Sequence, residues 1–125
     1  MSIKIAIIED DLAISTMYRM KFEAEGYIVE TASNGKLGVQ LVNEMKPDII
    51  LLDLMMPEMN GADALVLIRK MEGSKNTPVI ILTNMGEEEA PEVLIKTLGV
   101  RRFIVKAEMT PRQVAETVKA ELVTR

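Results

Sequence analysis

Four short runs, Ile5-Ala6-Ile7-Ile8, Ile49-Ile50-Leu51-Leu52, Val79-Ile80-Ile81-Leu82 and Phe103-Ile104-Val105, are apolar at every position. A strand with one wetted face alternates apolar and polar residues. Runs without alternation therefore belong to strands covered on both sides, as in a parallel sheet between two helical layers. Tyr27 to Ala32 does alternate, Ile28 and Glu30 against Val29 and Thr31, and is expected at an edge.

Helical patterns with recognisable ends separate the runs. Leu12 to Glu25 follows Asp11 as N-cap, carries Met17, Met20 and Ala24 on one stripe, and stops at Gly26. Asn34-Gly35 opens a second stretch containing Leu37, Val39, Leu41, Val42 and Met45, closed by Pro47; Gly61 to Met71 supplies Leu65 and Ile68 to a third. Pro91 to Leu98, ended by Gly99, makes a fourth. The fifth opens on Thr110-Pro111-Arg112-Gln113, a capping Thr, a Pro at the first helical position and a Gln three residues after the cap, and runs to the C-terminus through Val114, Val118 and Leu122. Five strands alternating with five helices predict a doubly wound five-stranded parallel sheet, strand order 2-1-3-4-5. With 125 residues and no linker, repeat or low-complexity segment, a single domain over 1–125 is expected.

Composition narrows the chemistry. The chain has no His and no Cys, which excludes imidazole and thiolate metal ligands, Ser-His and Cys-His triads, and phosphohistidine carried by this chain. Aromatic residues make up 3% and the formal charge is −4, a poor match to nucleic-acid stacking or phosphate-backbone contact, so no direct nucleic-acid binding is expected. The first apolar run is far shorter than a signal peptide's apolar region or the ~20 residues of a spanning helix, so a soluble cytoplasmic protein without a membrane partner is expected.

Ligands of open parallel sheets bind beyond the carboxyl ends of the strands. Here those ends lead into Glu9-Asp10-Asp11, Asp53, Thr83 and Lys106. Any one of these alone reads first as a solvated loop start; four in agreement point to a site. Carboxylates converging ~4 Å apart repel by about 4 kcal/mol at an effective dielectric of 20, which a proton or a cation must relieve. Oxygen-only donors favour a hard divalent ion, and magnesium suits a shell shared with phosphate. Asp53 is then the candidate nucleophile toward a phosphoryl group, with Lys106 pairing a phosphoryl oxygen and the Thr83 hydroxyl bonding the product.

These segments, above all Asp53-Leu54-Met55-Met56-Pro57-Glu58-Met59-Asn60-Gly61 with the acidic pair before it and Ile81-Leu82-Thr83 and Phe103-Ile104-Val105-Lys106 after it, resemble the receiver domain of two-component response regulators along essentially the whole chain. The resemblance implies a single receiver domain over 1–125. In it a histidine kinase or histidine phosphotransfer protein donates a phosphoryl group to Asp53 in a magnesium-dependent step. By position, Asp10 is implied as a direct metal ligand, Glu9 as a ligand acting mostly through water, and Met55 as donor of a main-chain carbonyl. Thr83 and Lys106 engage the phosphoryl group, and Phe103 is the aromatic switch coupled to Thr83. The responding surface is the fourth helix, fifth strand and fifth helix, serving an output protein or domain not in this chain, or a homodimer. On the first helix, Leu12, Ala13, Ser15, Thr16 and Arg19 are implied in phosphodonor docking.

The sequence departs from the family pattern at Ala107, where Pro often follows the Lys with a cis bond, and at Asn84, where a small residue is usual. Met55 and Met85 occupy positions that tune hydrolysis, and neither can orient an attacking water, so a slowly hydrolysing phosphoryl group is expected. Glu87-Glu88-Glu89 is expected to be a mobile acidic loop. Three other readings are weaker. An adaptor that docks without phosphorylation rests only on Ala107 and Asn84. An aspartyl-phosphate phosphohydrolase lacks the second acid at residue 55. A flavin module would meet repulsion between its phosphate and Glu9-Asp10-Asp11.

Overall fold

The computed structural model describes residues 2–84 and 96–124. Within them, strands β1 (Lys4–Ile8), β2 (Ile28–Ala32), β3 (Ile49–Leu52), β4 (Val79–Thr83) and β5 (Val100–Val105) form one parallel sheet in the order β2-β1-β3-β4-β5. The sheet and its order are those expected from the sequence. Helices α1 (Leu12–Ala24), α2 (Gly35–Met45), α3 (Gly61–Lys70) and α4 (Pro111–Thr124) accompany the sheet among the described residues, with a 3-10 turn at Lys106–Glu108. α4 is the fifth helix of the sequence reading. The helix expected over Pro91 to Leu98, apart from its last three residues, lies outside the described residues, as do Met85 and Glu87-Glu88-Glu89.

The unbroken apolar runs are explained by a core on each side of the sheet. Ile5, Ile7, Ile49, Leu51, Ile80, Leu82 and Ile104 meet Tyr18 and Phe22 of α1 and Val114, Val118 and Leu122 of α4. Their neighbours Ala6, Ile8, Ile50, Leu52, Val79 and Ile81 meet Val42 of α2 and Leu65 and Ile68 of α3. Each fully buried aliphatic side chain contributes about 1.5–3 kcal/mol relative to exposure, and alternate residues of one strand contribute to opposite cores.

The caps follow the sequence closely. Ile14 N–H donates to the Asp11 carboxylate, Leu37 N–H to Asn34 and Asp63 N–H to Asn60. Thr110 and Gln113 form a reciprocal capping box, Gln113 N–H to Thr110 Oγ1 at 3.2 Å and Thr110 N–H to Gln113 Oε1 at 2.9 Å. Gly26 takes the left-handed turn after α1, at φ 94°.

Two local expectations need correction. The buried stripe of α1 is Ser15, Tyr18 and Phe22; Met20 is 66% exposed and Met17 and Ala24 are exposed too. Both stripes have helical spacing, and the two aromatic rings bury more apolar area. Ser15 is accordingly not available as a docking residue, and its hydroxyl donates to the Leu12 carbonyl. α2 ends at Met45, as expected, with Lys46 as a left-handed cap at φ 52° directly before Pro47. β5 begins at Val100, three residues earlier than its apolar run, because an edge strand tolerates the exposed Arg101 and Arg102.

Candidate functional site

Side-chain alternation decides which residues meet at the carboxyl edge of the sheet. Glu9 continues the parity of Ile5 and Ile7, Asp53 that of Ile49 and Leu51, and Lys106 that of Ile104, so all three fall on the α1/α4 side. Glu9 and Asp53 are buried, 4% and 5% exposed. Between them lies the Lys106 ammonium, which donates to Glu9 Oε1 and, at 3.1 Å, to Asp53 Oδ2. Asp53 Oδ1 accepts the Met55 backbone N–H at 3.1 Å, and Glu9 Oε2 accepts that of Asp11 at 3.1 Å.

Asp10 is exposed, yet it offers a carboxylate oxygen that lies, with one each from Glu9 and Asp53, in a group within 4.8 Å of one another. Three carboxylates face one ammonium. Burial pushes the Glu9 carboxyl up to about 7; the Asp53 charge adds to this, while Lys106 and the Asp11 N–H oppose it. Burial alone would lower Lys106, but the hydrogen bonds and charges of Glu9 and Asp53 outweigh it and hold the ammonium above its usual range. A divalent cation with oxygen ligands fits the donor set: it would relieve the excess negative charge with no need for the nitrogen or sulfur ligands that the sequence lacks.

The sign of the resulting pH dependence follows. A carboxyl raised from 4.5 to about 7 on folding favours the folded state fully below 4.5, and that contribution is lost as pH rises toward 7. Metal-free protein is therefore expected to melt at progressively lower temperature as pH rises from 4.5 to about 7, the window set by that shift. Glu9→Gln should flatten the decline; scanning calorimetry in EDTA that showed equal slopes for both proteins would contradict this assignment.

The other expected site residues fall close by. Thr83 is fully buried at the end of β4 and continues the parity of Val79 and Ile81, on the α2/α3 side. Phe103 pairs in register with Ile81 and packs into that same core, so it shares a face with Thr83. Met55 is exposed in the loop after Asp53, and Asn84 is exposed just beyond Thr83. The Lys106–Ala107 peptide is trans, with Lys106 opening the 3-10 turn.

Some contributors carry no motif. Tyr18 of α1 is buried and lines a small cavity beneath the carboxylates with Ile14, Leu51 and Leu82; burial pushes its phenol up. Gly61 is crowded against the Asp53 main chain, where a Cβ would stand 2.1 Å from the carbonyl oxygen. The spacing of Asp53 and Gly61 signals a shared segment without revealing that contact.

Comparison with known proteins agrees with this geometry. The profile of the family described as Response regulator receiver domain matches residues 5–119. The chain is 40% identical over 119 residues to the transcriptional regulatory protein ResD of Bacillus subtilis (strain 168), covering 95% of this chain and 48% of ResD. It is 35% identical over 119 residues to the phosphate regulon transcriptional regulatory protein PhoB of Rhizobium meliloti (strain 1021), covering 95% of this chain and 52% of PhoB. The chain thus spans about half the length of these curated relatives. Among solved structures, a CheY-like response regulator receiver domain protein from Methanospirillum hungatei superposes with a TM-score of 0.89 at 27% identity, over 99% of this chain and 96% of that one. The chemotaxis protein CheY4 of Vibrio cholerae superposes with a TM-score of 0.86 at 26% identity, over 96% and 98%.

Proposed function

From the premise that this chain belongs to the response regulator receiver family, we propose that it is a phosphoacceptor switch. Asp53 takes a phosphoryl group from the phosphohistidine of a histidine kinase or histidine phosphotransfer protein. The observation that carries this reading is the buried Asp53 carboxylate held by the Lys106 ammonium and the Met55 N–H, with Glu9 and Asp10 beside it.

Glu9, Asp10, Asp53 and the Met55 carbonyl are the groups that would hold magnesium, which when bound would neutralise the phosphoryl oxygens. A carboxylate oxygen of Asp53 attacks phosphorus, the P–N bond to the donor histidine breaks, and the departing imidazole takes a proton. Lys106 exchanges its Asp53 contact for a phosphoryl oxygen. The Thr83 hydroxyl turns toward the new group, and Phe103, on the same face, fills the space it leaves. Phosphorylation thereby favours a minor conformation already present.

The changed surface, helix 4 of the sequence reading with β5 and α4, then serves an output partner, an attached segment or a second copy. Any nucleic-acid contact belongs to that output and not to this chain. The domain works in the cytoplasm; among the described residues no helix is long and apolar enough to cross a membrane. With Met55 unable to orient a water, the phosphoryl group is expected to persist.

Intact-mass spectrometry tests the reading. Incubation with magnesium and phosphoramidate should add one phosphoryl group to the wild-type chain, and EDTA should prevent it. No gain from this donor, nor from a phosphorylated histidine phosphotransfer protein, would favour a docking module that works without phosphorylation.

A further inference from the structure

The loop from Asp53 to Asn60 joins β3 to α3 and carries both the acceptor carboxylate and the Met55 N–H that holds it. Within it, Glu58 stands in the left-handed region at φ 64°. Such a conformation is costly for a non-glycine residue and persists only when the surroundings impose it. One support is evident, since Gly61 N–H donates to the Leu54 carbonyl at 3.2 Å while its missing Cβ admits the Asp53 carbonyl.

The other support comes from a different part of the chain. Gly35, the first residue of α2, donates its N–H to the Met59 carbonyl at 2.9 Å. A Cβ on Gly35 would lie 2.2 Å from that oxygen, 2.8 Å from its carbon and 2.9 Å from Met59 Cβ. Two of those three atoms are main chain, so no rotamer change relieves the clash and the loop itself must move. Asn34 reinforces the contact. Its Oδ1 caps α2 on Leu37 N–H at 2.8 Å, while its Nδ2 reaches Glu58 Oε2 at 3.5 Å. Gly38, one turn on, is also crowded, but only by side-chain atoms: its Cβ would stand 2.6 Å from Ile8 Cγ2, 2.7 Å from Cδ1 and 3.0 Å from Cγ1, with no main-chain atom of the loop among them.

We propose that the amino end of α2 braces the loop that follows Asp53, and that Gly35 is a positioning residue for phosphoryl transfer; the proposal rests on the function given above. Moving Met59 moves the loop, and the loop sets the Met55 N–H against Asp53. Reactions of this kind lose up to ~10²-fold for a displacement of about 1 Å.

The test compares Gly35→Ala with Gly38→Ala in the intact chain. Three quantities are measured: melting temperature, hydrogen exchange of the Met55 amide in metal-free protein, and the rate of phosphorylation by phosphoramidate at saturating magnesium. Both variants should melt lower. Gly35→Ala alone should lose Met55 amide protection and react about tenfold or more slowly, while Gly38→Ala keeps the wild-type protection and rate. Equal behaviour of the two would make Gly35 merely structural and overturn the proposal.

Should Gly35→Ala fail to fold, Asn34→Asp decides. It keeps the cap but sets a carboxylate against Glu58, and it should slow the reaction, with Glu58→Gln in the same chain restoring it. An unchanged rate overturns the brace. A wild type that takes up no phosphoryl group removes the functional reading and the brace together, whereas a reactive wild type with unaffected variants removes the brace alone.

Discussion

Asp53→Asn is expected to remain folded and to gain no phosphoryl group under conditions that phosphorylate the wild type. The amide has nearly the shape of the carboxylate, and its oxygen can still accept the Met55 N–H that now binds Asp53 Oδ1 at 3.1 Å. Its NH2 group would face the Lys106 ammonium, donor to donor, in place of the present 3.1 Å contact with Oδ2. Lys106 then keeps only Glu9. Removing the Asp53 charge also removes one of the causes that raise Glu9, so the two changes oppose each other in stability.

The chemistry has no such compensation. An amide is not a nucleophile toward phosphorus, and the loss of one carboxylate from the group of three also weakens the hold on a divalent ion. Intact mass and a peptide map check the result. A full-sized gain in Asp53→Asn, located on Asp10 or elsewhere, would show that Asp53 is not the acceptor.

The second large effect is expected far from the site. Arg69, near the end of α3, donates to four main-chain carbonyls: Leu98 at 2.7 Å, Thr77 at 2.7 Å, Ser74 at 2.9 Å and Gly99 at 3.3 Å. It therefore ties α3, the turn before β4 and the entry to β5 together. Burial, with the nearby Arg101 charge, holds its guanidinium below its usual range. Hydrogen bonds from a charged group contribute about 1.5–3 kcal/mol each, and they are not additive when they share one donor group.

Arg69→Ala is accordingly expected to cost about 3–5 kcal/mol, a large part of the 5–15 kcal/mol typical of a domain. That corresponds to a fall in melting temperature of roughly 10–20 °C. Arg69→Lys should recover less than half, because one ammonium cannot reproduce the planar fork toward several acceptors. Urea unfolding checks this, and a loss under about 1 kcal/mol for the Ala variant would show that the carbonyls find other donors readily.

Much of this was legible in the chain because it is local. Burial on both faces erases alternation within four or five residues, and caps are set by residues three apart, as Thr110 and Gln113 show. The buried stripe of α1 is not legible in the chain because Met17, Met20 and Ala24 have the same helical spacing as Ser15, Tyr18 and Phe22, and only the packing partner distinguishes the two faces. Arg69 carries no signal at all. Its acceptors are carbonyls of residues up to 30 positions away, and every residue has a carbonyl.

The sequence by itself determined the alternation of strands and helices, the sheet they make, and the kinds of side chain at the strand ends. Tertiary structure decided how those ends meet. Lys106 reaches Glu9 across 97 positions and Asp53 across 53, Gly35 crowds Met59, and Thr83 shares its face with Phe103 instead of with the carboxylates. The physical reason is register. Parallel strands are joined only through crossovers, so which residues stand side by side, and how far burial lifts a carboxyl such as Glu9, depends on the assembled sheet and not on any one segment.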